Sequence, residues 1–171
     1  MPASKDAIAL LKADHRKVEE LFDQYEKARG RKAGIVNQIC MELTIHTIIE
    51  EEIFYPACRD AGVEDDAMDE ANVEHDGAKV LIAELENGTP GDEFFDAKVT
   101  VLSEDIKHHV KEEEKRDGIF AQARAAGIDL EALGEQLMAR KEELKAEFKA
   151  NGLPAPEMVT LTAATSRRRA A

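Results

Sequence analysis

Four histidines and two glutamates in this 171-residue chain are spaced as metal ligands are on helices. His46 and Glu50 lie four residues apart, and so do His109 and Glu113, so each pair stacks on one helical face, one turn apart. His15 precedes His46 by 31 residues and His75 precedes His109 by 34, so the pattern His…His-x-x-x-Glu occurs twice. Imidazole nitrogen together with carboxylate oxygen suits iron, manganese or zinc, and not calcium, which takes oxygen alone. Six ligands are too many for one zinc. They suit two metals, each held by two histidines and sharing two bridging glutamates. Two divalent ions bring four positive charges, two carboxylates remove two, and a bridging oxide or hydroxide supplies much of the remainder. Each metal then keeps an open position for a small exogenous molecule.

The elements that would position these residues follow from hydrophobic periodicity. The first helix is expected from Ser4, as N-cap, to Arg29, with the stripe Ile8, Leu11, His15, Val18, Phe22, Tyr25. The second runs from Arg31 to Asp60 with the stripe Ile39, Leu43, His46, Glu50, Ile53, Ala57, and Pro56 marks a kink or early stop. The third carries Met68, Ala71, His75, Ala78, Ile82 and Leu85 and stops at Asn87-Gly88. Thr89-Pro90-Gly91 is the clearest turn. The fourth starts near Asp92, carries Phe95, Val99, Leu102, Ile106, His109 and Glu113, and breaks near Asp117-Gly118. The repeat therefore predicts two helical hairpins, an all-α, up-down-up-down antiparallel four-helix bundle over residues 1–128. A shorter fifth helix, with Leu133, Leu137, Leu144 and Phe148, is expected over 129–150, and 151–171 reads as a flexible tail.

A lone histidine on an apolar face is ordinarily a core residue with a hydrogen-bond partner. Four of the five histidines here occupy the stripes of four different helices, which points to a shared task. His108, the fifth, turns about 100° away from the stripe that holds His109. The same register selects Glu50 and Glu113 from their triple-glutamate runs, whose other members read as solvated faces. Tyr25 and Tyr55 are assigned to core packing rather than to the pocket. Cys40 and Cys58 sit about 27 Å apart on one expected helix at ~1.5 Å per residue, too far to bridge. They read as small buried residues in a reducing, cytoplasmic protein.

Bulk composition narrows the partners. The net charge of −13 argues against nucleic acid or an anionic membrane docking on a basic surface. Neither a secretory signal nor an apolar run of membrane-spanning length is expected. The remaining partners are small molecules, and the chain is expected as a monomer or homodimer. Arg167, Arg168 and Arg169 read as a solvated terminus.

Asp14-His15-Arg16, His46-x-x-x-Glu50-Glu51-Glu52-Ile53-Phe54-Tyr55-Pro56, Glu74-His75-Asp76 and His108-His109-Val110-Lys111-Glu112-Glu113-Glu114 together resemble the hemerythrin-like, or HHE cation-binding, domain. The resemblance spans roughly residues 4 to 125. It implies a bundle around a non-haem di-iron centre with a bridging oxo or hydroxo group, manganese or zinc being second choices. His15 and His46 would hold one iron, His75 and His109 the other, with Glu50 and Glu113 bridging. Oxygen-carrying members of that family have a further histidine one turn after the third, and Lys79 stands there. Both irons would then keep an accessible position, which argues against reversible oxygen carriage. The expected function is a reaction with hydrogen peroxide or dioxygen, catalase-like or oxidase-like. The alternative is a module that binds, senses or stores oxygen, nitric oxide or iron without turnover. No catalytic residue is assigned beyond the metal ligands.

Overall fold

The computed structural model describes residues 6–161. Helix α1 (Ala7–Lys27) is capped by Asp6, whose carboxylate accepts from Ala9 N at 2.7 Å; Ser4 lies outside the described residues. Helix α2 (Lys32–Ile49) continues through a π turn over Glu50–Phe54 into α3 (Tyr55–Asp60). A second hairpin is built from α4 (Asp65–Glu86) and α5 (Phe95–Glu114). Two further helices follow, α6 (Ile119–Ala125) and α7 (Leu130–Asn151). Contacts between α1 and α2, α2 and α4, α4 and α5, and α5 and α1 close the ring of an all-α four-helix bundle. Helix α7 packs outside it, against α1 and α2.

The expected stripes of α4 and α5 are buried in full, from Met68 to Leu85 and from Phe95 to Glu113. Helix α5 begins at Phe95 rather than Asp92. Asp92 first accepts from Thr89 N at 2.7 Å, and Phe94 takes a left-handed φ of 67°, so helical geometry is delayed. The stripe of α2 holds as far as Glu50 and then shifts. Ile53 and Ala57 are only half-buried, whereas Phe54, Tyr55 and Cys58 are buried. The π turn is the cause: Tyr55 N–H donates to Glu50 O, five residues back, so the buried face moves on by one residue. Pro56, lacking an N–H, sits in the first turn that follows, where no donor is required.

Two apolar clusters fill the interior. One gathers Leu11, Ile49, Phe54, Met68 and Phe120, and it includes Leu137, Leu144 and Phe148 of α7. The other gathers Val18, Phe22, Leu43, Ala78, Ile82 and Leu102. On α1, α2 and α4 the histidine lies between a residue of one cluster and a residue of the other, so the polar layer is walled above and below by hydrocarbon.

The segment read as a flexible tail is anchored over its described part. Asp76 is 1% exposed and accepts from Val159 N at 2.9 Å, Thr160 N at 2.6 Å, Thr160 Oγ1 at 2.6 Å and Leu161 N at 3.2 Å. Burial raises the Asp76 carboxyl, but these donors outweigh it and hold it down to about 2. Residues 162–171, with the arginine run, lie outside the described residues. Replacing Asp76 with alanine is expected to speed amide exchange at Val159, Thr160 and Leu161 by at least about tenfold while leaving α4 protected, as hydrogen-exchange mass spectrometry would show.

Candidate metal centre

His15, His46, Glu50, His75, His109 and Glu113 converge in the layer between the two clusters, each 5% exposed or less. The imidazoles pair: His15 Nε2 lies 3.1 Å from His46 Nε2, and His75 Nε2 lies 3.2 Å from His109 Nε2. The carboxylates span the pairs. Glu50 places Oε1 3.3 Å from His46 Nε2 and Oε2 3.3 Å from His75 Nε2. Glu113 places one oxygen, Oε2, 3.3 Å from His15 Nε2 and 3.4 Å from His109 Nε2. Two groups result, His15-His46-Glu50-Glu113 and Glu50-His75-His109, each with its ligand atoms within 4.8 Å of one another.

The outward-facing nitrogens explain the orientation. Each Nδ1 faces a carboxylate: His15 meets Glu114 at 2.8 Å, His75 meets Glu51 at 3.0 Å, His109 meets Glu74 at 2.6 Å, and His46 stands 3.6 Å from Asp14. With its proton on Nδ1, each neutral imidazole turns the lone pair of Nε2 inward. Lone pairs facing each other at such distances, beside two carboxylates, repel unless positive charge sits among them. Glu50 Oε1 and Glu113 Oε2 have no hydrogen-bond partner although fully buried. Orphaned acceptors of this kind, converging with four nitrogen donors, fit a pair of metal ions.

Without metal the positive charge has to be protons. Burial pulls the His46 imidazole down, but Glu50 and Asp14 raise it to about 10. Burial likewise opposes His75, which Glu50 and Glu51 raise to about 9. Burial raises Glu50, yet His46 and His75 hold it well below the ordinary carboxylate range. Burial and Glu50 both raise Glu113, and His109 and His15 more than offset them.

The outer carboxylates complete the internal repeat. The acid just before the first histidine of each half, Asp14 or Glu74, backs the second histidine of that half. The acid just after Glu50 or Glu113, that is Glu51 or Glu114, backs the first histidine of the other half. By their place in triple-glutamate runs, Glu51 and Glu114 read as solvated. The repeated pairs Asp14-His15 with Glu74-His75, and Glu50-Glu51 with Glu113-Glu114, were the available signal. Lys79 lines no ligand atom. Its ammonium holds Glu51 at 2.8 and 2.9 Å and donates to Glu157 O at 2.9 Å.

Tyr55 belongs to the site and not to simple core packing. The π turn brings its hydroxyl over the two buried glutamates, 2.8 Å from Glu113 Oε1, 3.2 Å from Glu50 Oε2 and 3.5 Å from His75 Nε2. Burial and the two glutamates raise its hydroxyl well above the usual phenol range, so it stays a proton donor. Tyr25 is remote, bonded to Asp96 beneath Lys32. The Tyr55→Phe change leaves Glu113 Oε1 without its donor and is expected to destabilise the metal-free bundle by about 1–3 kcal/mol, read from urea unfolding.

After Glu113 the chain turns sharply. A Cβ at Gly118 would come within 2.4 Å of Glu113 O and 2.5 Å of Glu112 O, so only glycine allows this crossing under the last turn of α5. The crossing delivers Phe120, whose ring stacks on His15 with centroids 5.7 Å apart.

The sequence profile of the "Hemerythrin HHE cation binding domain" matches residues 6–118. The chain belongs to this family. A structure of a hemerythrin HHE cation binding domain-containing protein from Mycobacterium kansasii superposes with a TM-score of 0.70 at 21% identity, covering 88% of this chain and 96% of that one. A Nostoc protein named DNA nickase is 29% identical over 107 residues, 61% of this chain. The chain spans only 30% of that relative's length. As an HHE domain, the chain has a cation-binding fold with histidine and glutamate clusters able to hold metal, and among the described residues no helix is long and apolar enough to cross a membrane.

Proposed function

We propose that this HHE domain holds two iron ions between His15, His46, His75 and His109, bridged by Glu50 and Glu113, and reacts there with hydrogen peroxide or dioxygen. The observation that carries the reading is the span of the two glutamates, each buried between one histidine of each half. Two irons, each changing oxidation state by one, would supply the two electrons that O–O cleavage takes.

The chain's own residues set what can react. A cavity of about 200 Å³ is lined by Glu74, His109, Glu113 and Gly118 among others, and so borders two of the site residues. Hydrocarbon from both clusters keeps bulk water from the layer, and the Tyr55 O–H is the proton donor nearest the bridging carboxylates. Glu51, Glu74 and Glu114 hold His75, His109 and His15 in one tautomer, so that these ligands need not rearrange.

Oxygen evolution from peroxide by iron-loaded protein tests this. The activity should fall to background in the double variant His46→Ala, His109→Ala. A rate that survives in that variant would exclude this centre as its source. Iron-loaded protein that binds nitric oxide or oxygen with no turnover would support the binding-module alternative instead.

A further inference from the structure

Lys141 lies on α7, beyond the residues matched by the family profile, yet it is 7% exposed and its ammonium meets Asp14 of α1. A buried ammonium is costly unless it is paired. Leu137, Leu144 and Phe148 of the same helix already seal α7 to the bundle, so packing does not require a charge there. The pairing also leaves Asp14 half used. Asp14 Oδ2 and His46 Nδ1 both lack a hydrogen-bond partner, and they face each other at 3.6 Å.

The twofold pattern shows that Lys141 is an addition. Asp14 and Glu74 are equivalent in the repeat, but Glu74 is met by exposed His108 at 3.4 Å. Glu114 is met by exposed Arg16, and Glu51 by Lys79 from within the bundle. Of these four partners, only that of Asp14 comes from α7.

We propose that Lys141 is a positioning residue of the metal centre: it fixes one oxygen of Asp14 so that the other orients His46, which makes α7 part of the site. The proposal rests on reading His46 as a ligand. Without the ammonium, one oxygen of the buried carboxylate loses its partner, and the rotamer that sets the other against Nδ1 is no longer fixed. Loss of an outer-shell partner of this kind weakens metal binding by roughly 10–100-fold.

The test is a zinc titration of the metal-free full chain, its variants Lys141→Met, Lys141→Arg and Asp14→Asn, and the double variant Asp14→Asn, Lys141→Met. Wild type is expected to take up two zinc ions, and Lys141→Met and Asp14→Asn each to weaken one of them by about tenfold. Lys141→Arg, which keeps a cation, should retain most of the affinity. Because Lys141 acts through Asp14, the double variant should bind as Asp14→Asn does. That comparison stands even if Lys141→Met alone fails to fold, since the double variant removes both charges together. Wild-type affinity in Lys141→Met, or a further loss in the double variant beyond Asp14→Asn, overturns the proposal. Failure of wild type to bind zinc would count against the metal site itself, whereas two zinc ions in wild type with unaffected variants would sink only the role of Lys141.

Discussion

Replacing Glu50 with alanine is expected to leave the protein with no more than one tightly held metal ion per chain, while Glu52→Ala keeps the wild-type load. Glu50 is wholly buried, and its two oxygens stand 3.3 Å from His46 Nε2 and 3.3 Å from His75 Nε2, so its loss opens both halves at once. Losing an outer partner alone costs up to about 100-fold in affinity, and a shared ligand should cost more. Glu52 is exposed and pairs with Arg140 of α7 at 2.8 Å, away from every ligand atom. The contrast tests the helical register, because the two residues are neighbours in one acidic run. Metal analysis after gel filtration reads it, and equal metal content in the two variants would contradict the assignment.

The second large effect is on protons. His46, raised to about 10, and His75, raised to about 9, are imidazolium in the metal-free protein at neutral pH. A ligand nitrogen must give up its proton, so filling the site at pH 7 should release at least two protons per chain. The combined affinity for two ions should then climb about 100-fold per pH unit and level off between about 9 and 10. The stability of the metal-free bundle should move the other way. These histidines are raised above the ordinary value of 6.5, so their contribution is complete below that pH and is lost as pH rises through about 9 to 10. Glu50, held low, adds stability above the ordinary glutamate value that is lost as acid protonates it. Calorimetry in buffers of different ionisation enthalpy counts the protons, and a release near zero at pH 7 would contradict the paired-imidazolium state.

Much of this site was legible because a single physical rule, helical period, acts on it. His15, His46, His75 and His109 each continue an apolar stripe, and a polar side chain on such a stripe must be buried with its partners. The glutamates followed from the same register. What stayed hidden depended on contacts that periodicity does not encode. The π turn inserts one residue into the rotation of the second helix, so a stripe carried through it lands on Ile53 and Ala57 instead of Phe54 and Cys58. That shift also brings Tyr55 from assumed packing to the bridging carboxylates. Glu51 and Glu114 sat in runs that look solvated, and only the packing of the opposite hairpin shows what they face. The segment after Asn151 has no periodic pattern, and its attachment is made by one buried side chain, Asp76, on a distant helix.

The repeat and the outer shell also clarify Lys79. A lysine in that position neutralises Glu51, which in turn holds His75, so its charge bears on the centre without touching it. Its bond to Glu157 O ties the same pair to the chain after α7. Among the described residues beyond the matched domain, Lys141 meets Asp14 directly and Glu157 meets Lys79, the partner of Glu51.

Anaerobic titration of the metal-free chain with ferrous iron, followed by gel filtration and elemental analysis, measures the central claim most directly. Two irons per chain are expected in the wild type and none retained in the double variant His46→Ala, His109→Ala. Fewer than one iron per chain in the wild type, or an undiminished load in that variant, would contradict it.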